Sequence, residues 1–170
     1  MAVRQVLHYP DPRLQTVARP VIRFDEQLAS LVEDMADTMY SEQGVGLAAT
    51  QIDVHQQVIV IDISPDRSAL RVFINPEIIW RSEQTLLFDE GCLSVPDVYD
   101  KVARPASIVV RALDLAGKPF EQEAEDLLAQ CIQHEMDHLR GTVFVQYLSP
   151  LKRQRIAAKL GKRRRQMAAA

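Results

Sequence analysis

Two histidines four residues apart are the feature of this sequence most able to do chemistry. They are His134 and His138 in the segment QHEMDH, and Glu135 directly follows the first of them. If the segment is helical, both imidazoles lie on one face and can bind the same metal ion. A carboxylate beside the first histidine can take a proton from water activated by that metal. The spacing therefore predicts a metal-dependent hydrolase with Glu135 as its general base.

A catalytic metal site of this kind needs a third protein ligand and leaves a fourth position open for water. No His, Glu, Asp or Cys follows His138, so the third ligand must lie upstream. Cys131 lies on the same predicted helix, but at about 1.5 Å rise per residue it is roughly 10 Å along the axis from His138. We therefore expect Cys131 to be an apolar wall residue. Cys92, in the glycine- and proline-flanked segment EGCLSVP, is the better candidate because a loop can present its thiolate.

A third segment, SEQGVGLAATQ, spans Ser41 to Gln51 and combines two glycines with a run of small residues. Glycines without a Cβ let a substrate backbone approach the protein backbone closely. The amide of Gln51 can donate a hydrogen bond to a developing oxyanion. Taken alone, the segment is also typical of an ordinary turn.

Helices must position these residues. The helix that carries His134 is predicted to run from about Asp126 to Leu139, because its apolar residues recur at helical spacing. Gly141 suits the C-terminal cap of this helix. An earlier helix is predicted to start after the cap residue Asp25 and to run to about Tyr40.

Short segments rich in β-branched residues lie between the two helices and predict strands. They are QVIVIDI (57–63), VFIN before Pro76, IIW from Ile78, TLLF from Thr85, SIVVRALD from Ser107 and KPFEQEA from Lys118. Short connections favour antiparallel pairing, because parallel strands need long crossovers. A strand TVFVQYL (142–148) and a basic helix from about Pro150 follow. The prediction is an α+β fold: antiparallel sheets packed around a central metal-binding helix, with a C-terminal helix.

Composition limits the class of protein. The chain has 170 residues, which suits one domain, and nearly half of them are apolar. We see no signal peptide and no apolar run near the about eighteen residues of a membrane span. Two cysteines are too few for a disulfide framework. We expect a cytoplasmic protein that does not bind a membrane.

Basic and acidic residues are distributed unequally along the chain. Residues 151–170 hold eight basic residues and no acidic one, whereas the other 150 residues hold twelve basic and twenty-three acidic ones. We expect residues 1–150 to form a single catalytic domain and residues 151–170 a basic C-terminal helical extension. The extension predicts contact with a polyanion, and a solvated terminal helix is the alternative. An acidic body is not typical of a general nucleic-acid binder, so we expect no DNA binding.

Three segments, GVGLAATQ, EGCLS and QHEMDH, resemble in order and spacing the motifs of the peptide deformylase family. The resemblance extends from HYPDPRL near the start to YLSPLKR near the end. Members of that family remove the N-formyl group from the initiator methionine of new bacterial proteins. The resemblance implies a ribosome-associated enzyme of protein biosynthesis, whose partners are nascent N-formylmethionyl peptides and, through the C-terminal helix, the ribosome.

The same resemblance implies roles for individual residues. The metal ligands are Cys92, His134 and His138, and the metal is Fe(II), with zinc, nickel or cobalt in some preparations. Glu135 is the acid and base. The oxyanion is held by Gln51 and by the backbone N–H of Leu93. Glu90 and Arg104 resemble a supporting ion pair beside the ligands. The residues implied for substrate binding are Val45, Gly46, Phe88, Gly91, Leu127, Gln130 and Cys131.

Within that set, backbone groups of Val45, Gly46 and Gly91 are expected to hold the peptide as an added strand. The other members would line the methionine pocket together with His134. Gln130 and the rim residue Tyr99 are less typical of the family, which leaves the preferred peptide open.

Two other classes of protein compete with this interpretation. A metallopeptidase would use the same helical motif, although its third ligand is typically His or Glu and not Cys. A binding module stabilised by a closed metal site would need four protein ligands, and the sequence offers no convincing fourth.

Overall fold

The amphipathic segment after Asp25 forms the first helix, α1, which spans Glu26–Ser41. The computed structural model describes residues 2–169. The Asp25 side chain accepts a hydrogen bond from the backbone N–H of Leu28, at 3.1 Å, and so caps the helix as predicted. Met35 and Met39 on its apolar face are fully buried.

Residues 2–169 contain seven strands in two sheets, whose pairing is antiparallel as the sequence predicted. They are β1 (Gly46–Ala48), β2 (Val58–Ile61), β3 (Arg71–Arg81), β4 (Thr85–Cys92), β5 (Val95–Pro105), β6 (Ser107–Leu113) and β7 (Pro119–Glu125). Five of them make one sheet in the order β1-β2-β3-β6-β7, while β4 and β5 pair as a separate hairpin. The α+β prediction is confirmed.

Helix α2 spans Asp126–Leu139, the range that the sequence predicted. Ile132 and Met136 pack into a core with sheet residues such as Ile59 and Phe73. Gly141 lies just beyond the end of α2 at φ 79°, a left-handed conformation that glycine adopts without strain. The helix lies between the large sheet and the hairpin, so two of its faces are buried.

Three strand predictions differ from the structure, and the short strand β1 was not predicted. The segments before and after Pro76 form one continuous strand, β3, whose pairing with β6 shifts register between Ile74 and Glu77 and between Ile78 and Trp80. Such bulges let a proline remain inside a strand. The hairpin is also longer than predicted, because β4 continues from the TLLF segment as far as Cys92 and β5 was not predicted at all.

The predicted strand at 142–148 is wrong. Its centre, Phe144–Tyr147, is a turn of 3₁₀ helix, in which the Gln146 side chain accepts a hydrogen bond from the N–H of Val143 at 2.7 Å. Phe144 and Val145 are both buried although they are consecutive. An alternating strand would expose one of them, so the turn is the better way to bury both.

The last helix, α3, spans Pro150–Ala169 and packs on the hairpin. Ile156 and Leu160 are buried in a core that contains the β5 residues Val98 and Val102. Leu151 and Met167, two further large apolar residues of α3, are more than half exposed. None of the helices in residues 2–169 combines the length and apolar character needed to cross a bilayer.

Candidate metal centre

The structure brings the three predicted ligands together. Cys92 ends β4, while His134 and His138 lie one turn apart on α2. One ligand atom from each residue lies within 4.8 Å of the other two, and Cys92 Sγ is 3.3 Å from His138 Nε2. A thiolate and two imidazoles are donors that zinc, iron and related divalent metals accept. The cluster therefore has the donor set and spacing of a metal site.

A buried ion pair fixes the orientation of His134. Its Nδ1 lies 2.8 Å from Glu90 Oε1, which leaves Nε2 to face the metal site. Arg104 donates to both oxygens of Glu90, with 2.8 Å between its Nη2 and Oε1. Both members of the pair are almost fully buried. Metal-binding histidines commonly donate their second ring nitrogen to a carboxylate in this way.

The pKa values of these groups follow from burial and close charges. Burial alone would raise the pKa of Glu90, but hydrogen bonds from Arg104 and His134 outweigh it and hold that pKa low. Burial likewise disfavours a charged His134, yet the negative charge of Glu135 and Cys92 raises its pKa well above the usual value. Burial and the neighbouring His134 both lower the pKa of His138, which favours the neutral ring that binds metal.

Glu135 lies beside this cluster in an enclosed position. It is 5% exposed, and burial raises its pKa to about 7. A Cβ on Gly46 would lie 2.6 Å from Oε2 of Glu135, so only glycine at this position leaves room for the carboxylate. The other oxygen, Oε1, is buried without a hydrogen-bond partner among residues 2–169. A carboxylate with a free buried oxygen is suited to accept a proton from water at the metal site.

Gln51 reaches the cluster from the 3₁₀ turn that follows β1 and is 1% exposed. Its Oε1 accepts a hydrogen bond from the N–H of Ala48 at 2.9 Å, and this bond fixes which end of the amide is the oxygen. Its Nε2 donates to Ser94 Oγ at 3.0 Å and lies 3.5 Å from Cys92 Sγ. The amide N–H group therefore points at the ligand cluster, where an oxyanion donor is needed.

Other predicted residues surround this centre. Leu93 follows Cys92 and lies in the turn between β4 and β5. Gly91 precedes Cys92 on β4. Val45 directly precedes β1 and is 41% exposed. Its carbonyl already accepts a hydrogen bond from the backbone N–H of Asp62, so a peptide would have to share this oxygen or use neighbouring backbone groups. Phe88 lies on β4 and is half-buried.

The predicted pocket residues on α2 differ in environment. Leu127 is 47% exposed near the start of the helix, whereas Cys131 is 6% exposed. Burial raises the pKa of the Cys131 thiol to about 12, which keeps it protonated. Gln130 is half-buried and its Nε2 donates to the carbonyl of Asp89 at 3.2 Å, so its polar end is turned toward the hairpin.

Sequence reasoning missed three residues of the centre: Ser94, Asp137 and Tyr147. Ser94 is fully buried against the Gln51 amide. Asp137 accepts a hydrogen bond from Arg104 Nη1 at 2.9 Å. Ser94 lies in EGCLSVP and Asp137 in QHEMDH, so their positions inside two of the motifs were the available signal. Tyr147 carried no such signal.

A helix that presents two imidazoles to a cysteine at the end of a strand, beside a buried carboxylate and an amide donor, defines a metal-dependent hydrolase. Residues 3–154 match the family model described as polypeptide deformylase. The chain therefore belongs to the peptide deformylase family.

Individual peptide deformylases are similar to this chain over nearly its full length. The chain is 62% identical to peptide deformylase 1 of Ralstonia nicotianae, covering 95% of this chain and 96% of that protein. It is 59% identical to peptide deformylase 1 of Burkholderia multivorans, covering 98% and 92%. The crystal structure of a peptide deformylase from Legionella pneumophila is similar with a TM-score of 0.94 at 50% identity, covering 99% of both chains.

Proposed function

We propose that the chain removes the N-formyl group from the N-terminal methionine of newly synthesised proteins and releases formate. The observation that carries the proposal is the Cys92, His134 and His138 cluster with Glu135 beside it, in a member of the peptide deformylase family. A cytoplasmic site of action follows, because nascent chains emerge there.

The peptide substrate provides the direct test. Purified protein is expected to release formate from formyl-Met-Ala and to leave acetyl-Met-Ala and unblocked Met-Ala intact. A metallopeptidase would instead cut the Met–Ala bond of the unblocked peptide, and a binding module would change none of the three. Formate detection together with mass spectrometry of the peptides distinguishes these outcomes.

The chain's own residues perform the proton transfers. Cys92, His134 and His138 would hold a divalent metal, which would supply a lowered pKa for bound water and polarisation of the formyl carbonyl. Glu135 takes the proton from the attacking water and later gives it to the leaving amine. Gln51 Nε2 and the backbone N–H of Leu93 donate to the formyl oxygen as negative charge develops on it. Formate and a peptide with a free methionine amine are the products.

The substrate strand is proposed to lie between Val45 and Gly46 on one side and Gly91 on the other. The methionine side chain would contact Phe88 and three α2 residues: Leu127, Gln130 and Cys131. Exposure of Leu127 and Val45 supports this placement, because both present apolar surface that a bound peptide would cover. The amide of Gln130 adds a polar group to one edge of the pocket.

Fe(II) is the metal that we propose, on the basis of the family. The alternatives are zinc, nickel and cobalt, because a thiolate and two imidazoles accept all of them and general affinity favours zinc over iron. We expect protein purified without oxygen to contain iron and to lose activity in air as the iron and Cys92 oxidise. The same preparation should keep its activity under nitrogen, and zinc-loaded protein is the control. Full stability in air of protein shown to contain iron would contradict this assignment.

The C-terminal helix is proposed to bind the ribosome. Three of its cations face the hairpin: Lys152 forms an ion pair with Asp100, Lys159 donates to the carbonyl of Asp97, and Arg163 pairs with the Asp97 carboxylate. We call Lys152, Lys159 and Arg163 the hairpin-facing cations. Their contacts with the hairpin account for part of the basic charge of α3.

The remaining cations support an external partner. They form no ion pair with any described residue, and they are Arg153, Arg155, Lys162, Arg164 and Arg165. Ribosomal RNA is the polyanion closest to the substrate, and cations that contact phosphates give salt-dependent binding. We therefore propose that residue 150 divides the chain by function and not by structure, because Ile156 and Leu160 are buried against the rest of the domain.

Substitution is a cleaner test of the tail than truncation, because truncation would expose the core under Ile156 and Leu160. Replacing Arg155, Lys162 and Arg165 together by glutamine is expected to weaken ribosome co-sedimentation at low salt by about tenfold or more. Turnover of formyl-Met-Ala should be unchanged. The control replaces the three hairpin-facing cations by glutamine, which removes the same charge from the other side of the helix. Equal sedimentation of the first variant and the wild type would rule out this anchor.

A further inference from the structure

The ion pair beside His134 continues further from the metal site than the sequence indicates. Arg104 contacts Glu90 on one side, and on the other its Nη1 donates to Asp137 Oδ2 at 2.9 Å. The hydroxyl of Tyr147 donates to the same Oδ2, also at 2.9 Å. The Tyr147 ring lies against the guanidinium of Arg104, with 5.4 Å from its centroid to Cζ. Tyr147 therefore contacts both ends of the Arg104–Asp137 bond.

We propose that Tyr147 is a positioning residue for the metal centre, acting on His134 through Asp137, Arg104 and Glu90. The inference rests on the proposed function, in which His134 is a metal ligand. Each contact in the path is a direct hydrogen bond or ion pair, and the last of them holds the Nδ1 side of the His134 ring.

Burial makes this path sensitive to the loss of one donor. Glu90, Arg104 and Asp137 are 1%, 5% and 4% exposed, so water cannot readily replace a lost partner. The guanidinium lies between two carboxylates, and the remaining oxygen of Asp137 accepts from Arg140 at 2.9 Å. Without the Tyr147 hydroxyl, Asp137 is free to turn toward Arg140, which loosens its hold on Arg104. Charged networks in a low dielectric depend on complete pairing in this way.

The environment of Tyr147 separates this role from core packing. Its side chain is 54% exposed, whereas its neighbours Phe144, Val145 and Leu148 are buried and supply the apolar contacts of the segment. A half-exposed phenol adds little to the core, so removal of its hydroxyl should change the network more than the stability of the fold. The hydroxyl and the ring act on different atoms, which allows their effects to be tested separately.

The variant Tyr147→Phe tests the hydroxyl and Tyr147→Ala tests hydroxyl and ring together. The dissociation constant of Co(II), measured by competition with a chelator, is expected to rise at least about threefold in Tyr147→Phe and further in Tyr147→Ala. The direction follows from the about 10–100-fold losses seen when direct partners of metal ligands are removed. The visible absorption bands of the cobalt-loaded protein should shift, because His134 is reoriented. The KM for formyl-Met-Ala should stay unchanged while kcat falls.

Tyr40→Phe is the matched control, since the Tyr40 hydroxyl donates to Asp62 Oδ2 at 2.6 Å, away from the metal ligands. This variant is expected to keep the wild-type cobalt affinity and spectrum. Wild-type affinity and spectrum in Tyr147→Phe would overturn the inference, and that conservative variant carries the test if Tyr147→Ala fails to fold. A parallel His134→Ala variant tests the proposed function: if it retains tight metal binding, the ligand assignment itself fails. Loss of metal in His134→Ala with an unaffected Tyr147→Phe removes the inference alone.

Discussion

The Glu135→Ala variant is expected to bind as much metal as the wild type while its kcat falls by more than the about 10²–10⁴-fold typical of general acid–base catalysis. The excess arises because the carboxylate has two tasks. It accepts the proton of the attacking water, and it also holds that water in position. The buried, unpaired Oε1 of Glu135 supports both tasks, since residues 2–169 offer it no competing donor.

Metal analysis and steady-state kinetics on formyl-Met-Ala check this prediction together. Glu135→Gln keeps the size of the side chain in the space that Gly46 leaves for it, and removes only the base. Its kcat should fall nearly as far. The control is Glu121→Ala, which removes an exposed carboxylate on β7 and should leave kcat unchanged. Near-normal turnover in either Glu135 variant, with metal bound, would refute the role of base.

Much of the ligand helix could be predicted because its signals are local. The apolar spacing of Ile132 and Met136, and the glycine at position 141, define where α2 lies and ends without knowledge of the rest of the fold. The imidazoles of His134 and His138 then share one face by helical geometry alone. That Cys92 meets them could not be derived so directly, because it depends on how the hairpin packs on the helix. Only elimination and resemblance pointed to it.

The sequence predicted only part of β4 and none of β5, and the reason is physical. β5 carries Pro96 and Pro105 near its ends and charged residues between them, so its composition is typical of a loop. Its pairing with β4 compensates, because Val98 and Val102 bury against α3 and the terminal turn. This stabilisation involves partners far along the chain, and no local pattern records it. The same holds for Phe144 and Val145, whose apolar character indicated a strand while tertiary packing selected a turn.

The polar network around His134 was only partly predictable. Glu90 and Arg104 were found by resemblance, whereas Asp137 and Tyr147 are joined to them only in the folded chain. A tyrosine that donates to a buried carboxylate has no characteristic spacing in sequence. Residues that act through other residues are therefore the part of a site that sequence reasoning is least able to identify.

The two cysteines give the sharpest test of the ligand set, because only one of them is expected to bind metal. Cys92 Sγ is 3.3 Å from His138 Nε2. Cys131 lies outside the cluster that the described residues form, and burial raises its pKa to about 12, so it remains a neutral thiol. A thiolate is the form that binds metal. Position therefore points to Cys92, and both position and protonation state argue against Cys131.

Cys92→Ser is expected to lose most activity and to release metal during dialysis or bind it with altered affinity, since a hydroxyl is a much poorer ligand than a thiolate at neutral pH. Cys131→Ser should retain a full equivalent of metal. It should lose some stability instead, because it places a hydroxyl in an apolar wall. Elemental analysis after dialysis measures the first effect and thermal unfolding the second. Equal metal loss in both variants would mean that the cluster holds its metal through a different set of ligands, and that the proximity of Cys92 to His138 serves only packing.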